Sequence, residues 1–249
     1  MFRTIFKSMI VISIKDKITL FYSLLFPLLL MIGLGYFIQN DQLQIVCGIT
    51  AISTIFWGMQ GIAFQIHAQR NKGVYKLLKV TPLPLISFIF IMVLARAFIG
   101  VLLNCIVWGT GIVLFQIDMT ILTAVYTSLL IVIGTLCFTS IGFVIGNLAR
   151  NEAQISMYAN IIQIPMIFMS GAFYSLERAP EWVVIIGKLL PFEHYVKALQ
   201  GVIADNSILQ ASMVILIVYI LLAFILSVVT FKWEDAPNQK KRKQAKLAA

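Results

Sequence analysis

This sequence is poor in acids, histidine and cysteine: ten Asp and Glu, two His and three Cys among 249 residues, beside nineteen Lys and Arg. It contains no GxxxxGKS or GxxxxGKT phosphate loop, so it holds no nucleotide by that route. HExxH, GxSxG and paired acidic motifs are also missing, which removes the common metal-hydrolase and serine-hydrolase signatures. Cys47, Cys105 and Cys137 all fall inside apolar runs, without CxxC spacing or a neighbouring His, and therefore read as packing residues.

What fills the chain instead is hydrocarbon. It is 60% hydrophobic and 12% charged, with a mean hydropathy of +0.95, a balance that implies an integral membrane protein. In that setting the net charge of +9 is explained by anchoring cations beside anionic lipid, so no nucleic-acid partner is expected. A crossing needs roughly 20 apolar residues. Six runs meet this length: residues 19–38, 44–65, an over-long run 85–115 whose crossing is placed at about 96–117, 120–146, 153–173 and 208–231. The first is too long for a signal-peptide core and is expected to stay attached as a span.

With the N-terminus inside, sixteen of the nineteen cations fall on the cytoplasmic side, leaving Arg178, Lys188 and Lys197 outside. Both termini are thus expected in the cytoplasm of a bacterial cell membrane. Arg96, near the start of the third crossing, is expected to snorkel to the headgroups. All ten acids are expected near one surface or the other: Asp16, Glu152, Glu234 and Asp235 inside, and Asp41, Asp118, Glu177, Glu181, Glu193 and Asp205 outside. A proton-coupled carrier generally uses an intramembrane carboxylate or His relay, and a membrane enzyme needs titratable groups gathered in one pocket. Neither is apparent, since His67 and His194 are expected on opposite sides, and adjacent Glu193 and His194 do not share a helical face.

Two stretches read as lying along the membrane. Phe2, Ile5, Phe6, Met9 and Ile12 recur at helical steps, describing an amphipathic interfacial helix over residues 1–17. Residues 174–207 contain apolar segments too short to cross, broken at Pro191, and read as a re-entrant outer hairpin before the last span. Residues 236–249 read as a basic, disordered cytoplasmic tail near anionic lipid.

The cytoplasmic loop HAQRNKGVYKLLKVTPLPL, residues 67–85, carries Arg70, Lys72, Lys76 and Lys79 and no acid. Gln69-Arg70-Asn71-Lys72-Gly73, then Leu77-Leu78, then Thr81-Pro82-Leu83, resembles the ERxxGxxxxL and TP pattern of the ABC type-2 transporter permeases. Ser170-Gly171, Pro180-Glu181-Trp182 and Pro191 through Tyr195 resemble that family's SG, P-x-W and P-x-x-x-Y landmarks in the same order. The likeness covers nearly the whole chain. Two positions depart from it: Gln69 stands where an acid is usual, and Ser175 replaces a common proline.

The resemblance implies an all-α, six-span transport subunit, not an enzyme, working as a pair with two copies of a separate ATPase that holds ATP and Mg. Arg70, Lys72, Gly73, Val74, Leu77, Leu78 and Pro82 would then form a coupling helix docked on that ATPase, with the leucines and Val74 as an apolar knob and the cations at its rim. A plain positive-inside loop remains the alternative. Ser170, Gly171, Pro180, Trp182, Pro191 and Tyr195 would belong to the outer hairpin. A path between two permease copies would run along the second and fifth spans, where Thr50, Ser53, Trp57, Gln60 and Phe64, and Ser156, Asn160 and Gln163, recur at helical steps. An uncharged amide and aromatic lining suits a drug-like, antibiotic or lipid-like cargo, while interhelical hydrogen bonding accounts for the same residues equally well. The competing functions are a secondary carrier or channel without an ATPase, a lipid-directed membrane enzyme, and a non-transporting sensor paired with an ATPase.

Overall fold

Asp16 separates the first two helices. Its carboxylate accepts from the Thr19 amide at 3.2 Å and the Thr19 hydroxyl at 2.6 Å, capping a new helix one residue after the previous one ends. The computed structural model describes residues 2–37, 42–79, 84–174, 179–204 and 208–231. Helix α1 (Phe2–Lys15) precedes Asp16, and α2 (Lys17–Phe37) follows it.

α3 (Gln42–Asn71) runs on through a turn at Lys72 and Gly73 into the short α4 (Val74–Lys79). Gly73 has φ +71°, left-handed backbone that a side chain would strain, which is why glycine stands at this corner. α5 (Leu85–Phe115) starts behind Pro84 and ends at Gln116 in the left-handed region. Thr120 caps α6 (Ile121–Leu148), and Asn151 caps α7 (Glu152–Phe168) through the Gln154 amide at 2.8 Å. Two short helices, α8 (Glu181–Gly187) and α9 (Pro191–Ala204), lead to α10 (Ile208–Thr230).

Among the described residues every regular element is helical, and five helices are long and apolar enough to cross a membrane: α2, α3, α5, α6 and Ala211–Thr230 of α10. α3 is enclosed along most of its length, whereas α10 turns Val214, Leu221, Ile225 and Val229 outward. The bundle is therefore built around α3, with α6 pressed directly on it. A Cβ on Gly142 would lie 2.5 Å from the Gly58 and Met59 carbonyl oxygens, and one on Gly58 2.8–2.9 Å from α6 at Phe138 and Thr139. Small residues let the two backbones touch where water gives no hydrophobic drive between helices.

Two wide π-helical turns, Phe21–Leu25 in α2 and Phe56–Gly61 in α3, interrupt otherwise regular spans. Polar side chains serve the backbone there: Ser53 reaches the Ser23 carbonyl, and Gln163 Nε2 donates to the Ile55 carbonyl at 3.2 Å. This is how irregular backbone is tolerated at membrane depth.

Three sequence expectations change. The helix assigned to a crossing at 96–117 begins at Leu85; its 31 residues extend about 46 Å, well beyond a ~30 Å hydrocarbon core. The run at 153–173 forms a helix of 17 residues, about 25 Å long, followed by turns at 169–174. In α1, Met9 and Ser13 are the buried residues and Ile12 is exposed, so the inward face is rotated from the one expected. Pro82 and the 236–249 tail lie outside the described residues, as do the side chains of Leu77 and Leu78.

Candidate functional site

The cationic loop is split between an inner and an outer face. Lys72 and Lys76 are exposed. Arg70 is buried and Nη1 approaches the Ala149 carbonyl at 3.5 Å, so it is turned into the chain and away from any partner's acidic rim, contrary to expectation. Val74 likewise packs inward. The residue that sequence reasoning passed over is Tyr75. It is 1% exposed and stands 5.5 Å, centroid to centroid, from both Phe88 at the start of α5 and Phe231 just after α10. Phe231 stacks in turn on Phe143 of α6 at 6.2 Å. Burial pushes the Tyr75 phenol above its ordinary range, with the Arg70 charge offsetting part of that. α4 is thus fastened by one aromatic pin to the ends of three long helices.

The two helical faces expected to line a path are only partly brought together. Gln60 Nε2 donates to Asn160 Oδ1 and Gln163 Oε1, both at 3.1 Å, forming an amide cluster between α3 and α7. Phe64 and Ser156 are half-buried on the same two helices, and Asn160 is exposed. Thr50, Ser53, Trp57 and Gln163 are instead buried inside this chain. Ser53 faces Ser23 of α2 and Asn104 of α5, and Trp57 donates to the Arg96 carbonyl at 2.9 Å. Helical steps in α3 put these residues in register, but the wide turn and the enclosing helices give them different neighbours.

Arg96 corrects another expectation. Instead of snorkelling it is 1% exposed, its Cζ 3.8 Å over the Trp57 ring, with Nη2 3.5 Å from Asp16 Oδ2 and Nη1 3.4 Å from Gln65 Oε1. Gln65 also accepts from Ser13, and Gln69 Nε2 points at the Met9 sulfur at 3.1 Å. Helix α1 is therefore locked to α3 and α5 through a polar cluster centred on one guanidinium.

The hairpin has its own knot. Ser170 is buried, its hydroxyl on the Ile167 carbonyl. The Gly171 amide donates to Glu193 Oε2 at 2.7 Å, and its carbonyl accepts from Gln44 at 2.9 Å and Gln200 at 3.3 Å. Glu193, expected at the outer surface, is fully buried and paired to Lys197 at 2.9 Å. His194 Nε2 meets the Lys188 carbonyl instead of forming an acid/base pair with Glu193. Pro180 is exposed and starts α8, where Trp182 is 58% exposed; Pro191 is buried at the start of α9. Tyr195 is buried against Phe138 and meets the Thr54 hydroxyl at 3.2 Å. Tyr219, midway along α10, donates to the Leu189 carbonyl between α8 and α9, so the hairpin turn sits beside the middle of a long apolar helix.

An all-helical bundle with a short first helix, a pinned cationic loop and a hairpin knotted at Gly171 accords with the family comparison. Residues 1–204 match the family described as ABC-2 type transporter. The chain belongs to this family. It is similar, at 22% identity over 83% of its length and 88% of the relative's, to YvfS of Bacillus subtilis (strain 168), a protein named as a transport permease. Nodulation protein J of Rhizobium leguminosarum bv. viciae is 29% identical over 48% of this chain and 47% of its own. Nodulation protein J of Bradyrhizobium diazoefficiens is 30% identical over 44% of each. This ABC-2 chain is accordingly a multi-pass membrane protein of a transport permease family whose members normally work with an ABC ATPase.

Proposed function

We propose that this permease is the membrane half of an ATP-driven exporter in a bacterial plasma membrane, with two copies working beside two copies of a separate ATPase that carries ATP and Mg. Residues 1–235 act as one six-crossing domain with both termini cytoplasmic, α7 and its following turns supplying the fifth crossing. The cargo is amphipathic or hydrophobic, a drug, antibiotic or lipid-like molecule. It passes between the two copies along α3 and α7, where Gln60 and exposed Asn160 offer amide groups without a full charge and buried Gln163 braces Gln60 from behind. The Glu193–Lys197 and Arg96–Asp16 pairs bind their partners within the chain and serve packing.

The observation that carries this reading is the pin at Tyr75. A plain anchoring loop needs only charge, but a coupling helix needs a rigid joint to the spans, and Tyr75 supplies one to α5 and the end of α10, and through Phe231 to α6, while Lys72 and Lys76 face outward. Two kinds of variant separate docking from transmission. Leu77→Asp with Leu78→Asp is expected to abolish co-purification of the ATPase, since a buried leucine contributes about 1.5–3 kcal/mol. Tyr75→Ala is expected to retain the ATPase but lose stimulation of its turnover. Normal association and transport in the double aspartate variant would return the loop to a simple anchor.

A further inference from the structure

We propose that the cleft between α6, α7 and α10 holds an acyl chain of an anionic phospholipid. It is an open groove of about 630 Å³ lined by apolar side chains, among them Ile145, Leu148, Ile162, Ala223 and Leu226, with Tyr158 and Tyr219 as its polar-tipped members. That volume lies within the ~300–1,000 Å³ of small-ligand sites. On α6 the lining runs from Ile141 to Leu148 and on α10 from Tyr219 to Leu226, about 10 Å along each axis. The groove therefore follows two helices long and apolar enough to cross a membrane, the direction in which lipid tails lie. Leu148, Leu222 and Leu226 are each more than half exposed, so it opens sideways into hydrocarbon.

The second copy and the cargo belong on the other side of α7. Tyr158, Ile161, Ile162 and Met166 share the cleft side of that helix, whereas Ser156, Asn160 and Gln163 fall opposite. On the proposed reading, in which exposed Asn160 and half-buried Ser156 face the partner copy while Gln163 packs on α3, the cleft side points away into the bilayer. The headgroup assignment comes from Arg150. It lies two residues beyond Leu148, is exposed, and its guanidinium makes no hydrogen bond or ion pair among the described residues. A planar guanidinium matches a phosphate oxygen pair.

The test needs no ATPase and no cargo, so its failure is distinct from failure of the transport reading. Leu226→Trp and, separately, Leu222→Trp place a fluorescent reporter in the groove of the full chain, and the unmodified chain supplies the tryptophan background. Each is reconstituted in vesicles containing brominated phosphatidylglycerol or brominated phosphatidylcholine. Quenching is expected at about fivefold lower mole fraction of the anionic lipid, the factor one cation near a membrane surface contributes. Arg150→Gln should bring the two curves together. Equal quenching by both lipids in the reporter chains that retain Arg150, or quenching by neither because a second copy covers the face, overturns the proposal.

Discussion

Arg96 is held in three ways at once, by the Trp57 face, the Gln65 amide oxygen and the Asp16 carboxylate, and only the last carries charge. Removing the charge from Asp16 leaves a guanidinium buried among helices, whereas removing both groups leaves an apolar contact. Asp16→Asn, which keeps the cap on Thr19, is expected to cost the lower end of about 3–5 kcal/mol, because Asp16 is 26% exposed. Adding Arg96→Met should recover most of that loss. Thermal unfolding of the purified single and double variants checks it, and a double variant worse than Asp16→Asn would show that the cation–π contact dominates. Gly142 poses a steric question instead. Gly142→Val must part α6 from the α3 backbone and is expected to cost about 3 kcal/mol or more, since no flexible side chain can yield. Gly109→Ala in α5, with nothing within 4 Å of the added methyl, should be neutral or stabilise by about 0.5–1 kcal/mol.

The elements differ in what determines them. α1 and α2 are two helices because Asp16 caps the second, and α3 and α4 are two because Gly73 turns between them; both breaks are written in single residues. The inner and outer faces of α4 are not. A six-residue helix with valine, tyrosine and two leucines could press any of them outward, and the choice of Tyr75 as the inward pin depends on Phe88 and Phe231, which lie 13 and 156 positions away in the chain. The hairpin behaves similarly. Glu193 reads as a surface acid in sequence, yet the Gly171 amide and Lys197 satisfy it in the interior. Tyr195→Phe, which removes one hydroxyl contact, should lower stability by only about 0.5–1.5 kcal/mol, while Tyr195→Ala opens a cavity costing about 3–5. Denaturation midpoints of the two variants distinguish a polar latch from an aromatic wedge, and equal losses would favour the latch.

At the scale of the whole molecule, labelling from outside reads the direction and number of crossings. In a background with Cys47, Cys105 and Cys137 replaced, single cysteines at Gln116 and Trp182 are expected to react with an impermeant maleimide added outside cells, and those at Lys72 and Asn151 only after permeabilisation. This pattern follows from the uneven distribution of cations and from six crossings. Protection of both Asn151 and Trp182 until permeabilisation would mean that α7 does not cross. Because α7 is shorter than the hydrocarbon layer is thick, that helix is where the six-crossing assignment is most exposed to test.

Composition and run length alone determined that this chain is a helical membrane protein, because hydrocarbon leaves a spanning backbone few options beyond bonding to itself within each segment. The order of loop and hairpin motifs was enough to mark the family. Helix edges at Asp16, Pro84, Thr120 and Asn151 rest on single residues and their near neighbours in the chain, although run length alone did not single those residues out. What needed the tertiary structure was every pairing made across the chain. Arg96 with Trp57 and Asp16, Glu193 with Gly171, Gln60 with Asn160 and Gln163, and Tyr75 with Phe231 join residues far apart in sequence. Helical periodicity says which residues share a face; only the packing of α3 among α2, α5, α6 and α7 decides whether that face is buried, paired or open.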